Sequence, residues 1–192
     1  MNQPLRRLES RAVVLMKDNV DTDQICPARF LTTTSASGFR DALFADWRFD
    51  DRGTPKADFP LNAESARERS ILIAGRNFGC GSSREHAVWA LRDNGIRAVI
   101  ASSLADIFRR NALKNGVVPV VVDEKTVAAL AAALEPIVID VERCRVSASG
   151  VDAPFALEPF AWLCLLEGLD EMTYLLSHSD AIAAHEAGSV RP

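Results

Sequence analysis

Between residues 70 and 141, short apolar runs alternate with helical stretches, and this rhythm limits the possible fold more than any other feature. Residues 70–74 (SILIA) are continuously apolar, as expected of a strand buried on both faces. A glycine-rich turn, GRNFGCGSS, leads into residues 84–93 (REHAVWALRD), whose apolar spacing is helical, and Asn94 and Gly95 stop that helix. The pattern then repeats: strand at 97–101, helix at 103–114, a stop at Asn115 and Gly116, strand at 117–122 (VVPVVV), helix at 124–134, strand at 137–141. Strands separated by helices of about 10–12 residues predict an α/β domain whose sheet is at least partly parallel. Pro119 lacks the N–H that a central strand donates, so 117–122 is expected at an edge or a bulge.

The flanks are less regular. Residues 11–16 (RAVVLM) read as a first strand and 17–27 (KDNVDTDQICP) as a polar loop ending in a proline. Residues 39–47 predict a short helix with Phe39, Leu43, Phe44 and Trp47 on one face, and 50–60 is loop by composition. After Gly150 the pattern changes to helices at 159–167 and 179–187. The expectation is one domain over residues 1–192, with a core at about 11–150 and a helical C-terminal extension at about 151–192. A chain of this length buries roughly 70% of its unfolded surface, enough for a core without staples.

The net charge of −4 gives no reason to expect nucleic acid or an anionic membrane as partner. An anion must therefore be held by local donors. No apolar run reaches the ~20 residues of a membrane span. The start lacks a signal-peptide core, so a cytoplasmic location is expected. Cysteines stand at 26, 80, 144 and 164, with no C-x-x-C pair and no histidine at ligand spacing, so no metal is expected to be held by this chain alone. Cys144 and Cys164 read as plain reduced thiols.

The densest chemical signal is NFGCGSSREH, residues 77–86. A strand ends, Gly79 and Gly81 permit a tight turn, and Ser82 and Ser83 open a helix that either can cap, with Glu85 or His86 in its first turn. The helix N-terminus favours a carboxylate or phosphate, and Arg84 adds a guanidinium fork at the same spot. The dinucleotide fingerprint fails because Arg84 stands where its third small residue belongs, and no P-loop or nucleophile elbow is present. Cys80 beside the helix start, served by His86, is a candidate nucleophile; the plainer reading is a small residue filling a tight space. The whole segment read without function is a capped helix after a tight turn, and read as a binding module it is an anion site without catalysis.

These residues resemble a known family. NFGCGSSREHA is similar to the signature of the swivelling domain of the aconitase superfamily, in its isopropylmalate dehydratase form. NVDTDQICPARF (residues 19–30) resembles that family's N-terminal motif, and RAVIASSLADIF, NGVVP and the tail HSDAIAAHE resemble its later segments. The resemblance implies an α/β fold in β/β/α layers, with a partly parallel sheet flanked by helices and a helical C-terminal extension. It implies the small subunit of a hydro-lyase that interconverts 2-isopropylmalate and 3-isopropylmalate by dehydration and rehydration in leucine biosynthesis. Glu171 to Leu176 (EMTYLL) departs from the family's usual small-residue-rich stretch, which leaves open a related alkylmalate of the citramalate, dimethylmalate or homoaconitate type.

Residue roles follow from the same resemblance. Ser82 aligns with the catalytic base that removes the proton alpha to a carboxylate, and Ser83 and Arg84 with carboxylate-binding residues. Arg29, Phe30, Leu31 and Thr32 fall where the family varies its substrate-contacting loop. Phe30, Leu31 and the threonines suit an alkyl group, while Arg29 leaves the question of an extra carboxylate open. Asp21 and Asp23 match the acidic pair of the first motif, with loop capping as the alternative; Cys80, Gly81 and His86 support the turn. The implied cofactor is a [4Fe–4S] cluster on a separate large subunit, with none bound by this chain, so the pair would work as a heterodimer and neither half would turn over alone.

Overall fold

The alternation in the middle of the chain becomes a parallel sheet whose strands add in sequence order. The computed structural model describes residues 3–31 and 36–189. Its elements are β1 (Arg7–Ser10), β2 (Ala12–Leu15), α1 (Thr22–Ile25), α2 (Ala45–Arg48), β3 (Ile71–Ala74), α3 (Glu85–Asp93), β4 (Ala98–Ala101), α4 (Asp106–Lys114), β5 (Val118–Val121), α5 (Glu124–Ala131), β6 (Ile137–Asp140), β7 (Arg145–Ala148), β8 (Val151–Pro154), α6 (Pro159–Glu167), α7 (Glu171–Ser177) and α8 (Ser179–Ser189). β2, β3, β4 and β5 form a parallel sheet in that order. β5 lies at its edge, where a strand containing Pro119 belongs. A second sheet, β1-β6-β7-β8, is antiparallel throughout.

Side chains alternate across a strand, and the two faces of the parallel sheet bury different cores. Leu72 and Ala74 join Val13, Leu15, Val99 and Ala101 against residues of α3 and α4, among them Leu91 and Phe108. Ile71 and Ile73 join Ala98, Ile100, Val118 and Val120 against Ile137, Ile139 and Val146 of the antiparallel sheet. The layers are antiparallel sheet, parallel sheet, helices. Each fully buried Leu, Ile, Val or Phe contributes about 1.5–3 kcal/mol, so the wholly buried strands β3 and β4 hold the layers together. α5 and α6 complete the second core with Val127, Leu130, Leu165 and Leu166.

Several expectations are corrected. Residues 39–47 do not form one amphipathic helix: only Ala45–Arg48 is helical, because Phe44 sits in the left-handed region at φ 51°. The apolar pattern there reflects a loop covering the core, with Phe39, Leu43 and Phe44 buried and Phe44 stacked on Trp47 at 5.7 Å. Neither Ser82 nor Ser83 caps α3. That helix starts at Glu85, its N-cap is Arg84 in extended conformation (φ −130°, ψ 105°), and the Arg84 side chain makes no capping hydrogen bond. The strand at 137–141 exists, but as β6 it pairs with β1 and β7 in the antiparallel sheet and not with β5. α7 was not visible in the sequence pattern, whereas α6 spans the expected residues and ends at Gly168 in the left-handed conformation.

Candidate active site

The loops leaving β2 and β3 lie side by side, at the C-terminal ends of adjacent parallel strands, where open α/β sheets hold their ligands. The sheet pairing continues into the loops as backbone bonds. Asn19 N–H donates to Arg76 O at 2.8 Å, Gly79 N–H to Val20 O at 2.7 Å and Thr22 N–H to Cys80 O at 2.9 Å. Thr22 Oγ1 donates to Ser82 O at 2.9 Å, and Asn77 Nδ2 to Asn19 Oδ1 at 2.9 Å. From the other side Ser103 Oγ accepts from Asn77 N–H at 2.8 Å. The first motif and the second thus make one rigid unit, with Thr22 fixing the backbone of Ser82.

Gly79 shows how tight the turn is. Its φ is +76°, and an added Cβ would stand 2.3 Å from Phe108 Cγ, so no side chain fits. Phe108 meets Phe78 edge-on at 5.3 Å, which anchors the turn on the helical core. Gly81 needs its left-handed φ of +89° rather than the space, since its nearest neighbour would be Asp21 Cβ at 3.4 Å.

The acidic pair divides its work. Asp21 caps α1 in a reciprocal box: Gln24 N–H donates to Asp21 Oδ1 at 2.7 Å, and Asp21 N–H to Gln24 Oε1 at 3.0 Å. That geometry favours the capping role for Asp21. Asp23 instead pairs with Arg84, whose side chain is only 16% exposed against 54% for Asp23. The hydrogen bond from Arg84 holds the Asp23 carboxyl below the usual carboxylate range. Burial pushes the neighbouring Cys26 thiol up to about 11, so it stays protonated and inert near neutral pH.

Ser82 and Ser83 stand exposed at the tip of the turn, and Cys80 is half-buried behind them. The Arg84 side chain does not bond the first-turn N–H groups of α3, and the positive end of that helix faces the same loop. Glu85, the acid of that first turn, is engaged elsewhere: its carboxylate accepts from Asn115 Nδ2 at 2.8 Å and lies 3.5 Å from Lys114 Nζ. His86 packs its ring against Phe39 at 5.3 Å and Trp89 at 4.6 Å, an aromatic seat that suits a packing role better than service to Cys80.

The variable loop lies to one side. Arg29 donates to Asp46 Oδ1 at 2.6 Å, with its guanidinium 4.9 Å from the centre of the Phe30 ring. Phe30 and Leu31 are half-buried against the helical core. Thr32 lies outside the described residues. Arg29, Phe30, Asp46 and Lys56 line an open cavity of about 690 Å³. A second cavity, of about 490 Å³, lies between α4 and α6 and is lined by none of the residues to which the resemblance gives a catalytic, substrate-binding or supporting role. Among the described residues no group of three or more His, Cys, Asp or Glu is placed to hold a metal, and the four cysteines are free thiols far apart in sequence. Sequence reading passed over Thr22 and Asp46. For Thr22 a signal was available, a hydroxyl residue inside the motif directly after an N-cap aspartate; for Asp46 there was none.

Two paired loops at the ends of parallel strands, on a β/β/α frame, define an aconitase-type C-terminal domain; residues 2–125 match the aconitase C-terminal domain family, and the chain belongs to it. Within that family the similarity is to the small subunits of 3-isopropylmalate dehydratase. The one from Anaeromyxobacter dehalogenans strain 2CP-C is 55% identical over 188 residues, covering 97% of this chain and 98% of that protein. The one from Roseiflexus castenholzii is 48% identical over 190 residues, covering 96% and 93%. Among solved structures, 3-isopropylmalate dehydratase from Methanocaldococcus jannaschii superposes with a TM-score of 0.67 at 26% identity, covering 93% of this chain and 99% of that one.

Proposed function

We propose that this chain is the small subunit of 3-isopropylmalate dehydratase, a cytoplasmic hydro-lyase that interconverts 2-isopropylmalate and 3-isopropylmalate and turns over only with its large subunit. The observation that carries this reading is 55% identity to such a subunit over nearly the full length of both chains. A hydro-lyase for citramalate, dimethylmalate or homoaconitate is not favoured, since the relatives at 55% and 48% identity bear the isopropylmalate name. The whole chain acts as one domain, with the extension from about residue 151 as part of the subunit.

The chemistry removes a proton alpha to a carboxylate while a hydroxyl leaves the adjacent carbon, and then returns both in the opposite sense. Ser82 is the base. A serine alkoxide is costly in water, and here the start of α3 and the Arg84 guanidinium lower that cost. Thr22, through its bond to Ser82 O, keeps the hydroxyl aimed. Ser83 and Arg84 grip a substrate carboxylate. Arg84 has five donors, so it can stay on half-exposed Asp23 and still offer a fork. Phe30, Leu31 and Thr32 receive the alkyl group, and Arg29 is engaged by Asp46. This chain's four thiols lie far apart in sequence, and a [4Fe–4S] cluster held by the large subunit would supply the Lewis acid for the leaving hydroxyl.

The test is to co-purify the chain with its large subunit without oxygen, reconstitute the cluster and assay a panel of alkylmalates for alkene formation. Turnover of isopropylmalate above the others is expected. A loaded complex that forms alkene from none of them would sink the proposal.

A further inference from the structure

α7 presents its faces in the reverse of the usual order for a surface helix. Thr173 and Tyr174 are half-buried, and the Tyr174 ring lies 4.9 Å from Phe160 of α6. Met172, Leu175 and Leu176, at the i, i+3, i+4 spacing of one helix face, are 65%, 52% and 65% exposed. Ile182 of α8 adds a fourth exposed apolar side chain. A helix at rest on a protein surface ordinarily turns its polar side outward. Among the described residues the other large exposed apolar side chains, Met16, Ile107 and Leu134, fall singly on other elements. Scattered residues of that kind are ordinary, whereas a grouped set marks an interaction surface.

Two further observations point to the occupant. From residue 159 to residue 190 the sequence has no lysine or arginine but carries Asp170, Glu171, Asp180 and Glu186, besides Glu167, which is paired with Arg6 at 3.0 Å. A second copy laid on this face would set like charges against each other, whereas a basic surface would complement them. The aconitase C-terminal domain match ends at residue 125, yet the curated small subunits align over 97% of this chain. The extension is thus common to proteins named as small subunits, and such a subunit has to find its partner by surface contact.

We infer that the outward face of α7, with Ile182 of α8, docks on the large subunit, against an apolar surface bordered by lysine and arginine. This rests on the functional reading above, which supplies that partner. It places an assembly contact on residues that have no part in the chemistry proposed above, so affinity for the partner and turnover within the complex are separable properties.

The experiment titrates full-length wild type and the double variant Leu175→Glu/Leu176→Glu against cluster-loaded large subunit. Binding is followed by sedimentation, and activity is measured as a function of large-subunit concentration. The expected result is binding weaker by about tenfold or more, as for truncated hot spots, with kcat near wild type once the large subunit saturates. Wild-type binding should weaken with added salt, and Leu134→Glu, at a still more exposed position beyond α5, should change nothing. Circular dichroism checks the fold, and if the double variant misfolds, Met172→Lys decides in its place. Unchanged affinity of the variants would overturn the inference, as would a wild-type self-association that the variants abolish while still binding the large subunit fully. Failure of wild type to bind the large subunit at all would instead remove the functional reading, and the docking face with it.

Discussion

Two strand-to-helix junctions of the same parallel sheet differ in what they leave unfinished. Between β5 and α5 only Val122 and Asp123 intervene, and Asp123 closes the helix start itself, accepting from Lys125 N–H and Thr126 N–H, both at 3.0 Å, and from Thr126 Oγ1 at 2.6 Å. Between β3 and α3 the chain takes residues 75–84, adopts left-handed backbone at Asn77, Gly79 and Gly81, and sets at the N-cap of α3 an Arg84 whose side chain does not close the helix start. The first junction satisfies its own donors and is complete. The second accepts strain and a helix start that its own N-cap does not close, which is the condition of a loop shaped for something outside the chain.

That contrast can be broken most sharply at Ser82. Replacement by alanine should lower kcat of the loaded complex by about 10²–10⁴-fold while leaving assembly intact, which steady-state assays beside sedimentation would read. Activity within tenfold of wild type would put the base elsewhere. Next comes Gly79→Ala, where the new Cβ collides with Phe108 in a left-handed backbone. Its cost is on the order of 2–5 kcal/mol in denaturant unfolding, and a loss below 1 kcal/mol would show that the turn is not pressed against the core.

Thr22→Val keeps shape but leaves Ser82 O without its partner, at about 1–2 kcal/mol of stability, and should slow turnover more than it weakens substrate binding. An equal effect on KM and kcat would argue against aiming. The smallest effect belongs to the closed junction. Asp123→Ala should lower Tm by about 2–4 °C with no change in activity. Hydrogen bonding, first from the Thr126 side chain, holds the Asp123 carboxyl below its ordinary value of 3.8. Its contribution is complete above that value and is lost as pH falls through the lower folded one, so the variant's Tm should depend less on pH in that acid range.

Local chemistry was legible in the sequence, and partnership was not. Pro119 disclosed an edge strand because a missing N–H is written in one residue. The alternation of apolar runs and helices disclosed β2 to β5 because buried strands and helices carry different periods. Residues 137–141 read as the next strand in the same series, yet β6 pairs with β1 from the other end of the chain. Nothing in the period of a strand names its neighbour. In the site, both motifs were visible, but the helix start was not. Two left-handed glycines carry Ser82 and Ser83 outward, so Arg84, not a serine, occupies the N-cap. The pairing of Arg29 with Asp46 and the bond from Thr22 to Ser82 also depend on contacts that only the folded chain makes.

The long-range pairing of β1 with β6 also sets an order of events during synthesis. β1 leaves the ribosome long before its mate and has no partner strand until Ile137–Asp140 follows. Once Val121 has emerged, the four parallel strands can assemble, but the sheet that covers their second face does not yet exist. In that interval Ile71, Ile73, Ala98, Ile100, Val118 and Val120 stand bare. A nascent chain paused between residues 122 and 136 is therefore at its stickiest, and that is the window in which a chaperone has most to hold.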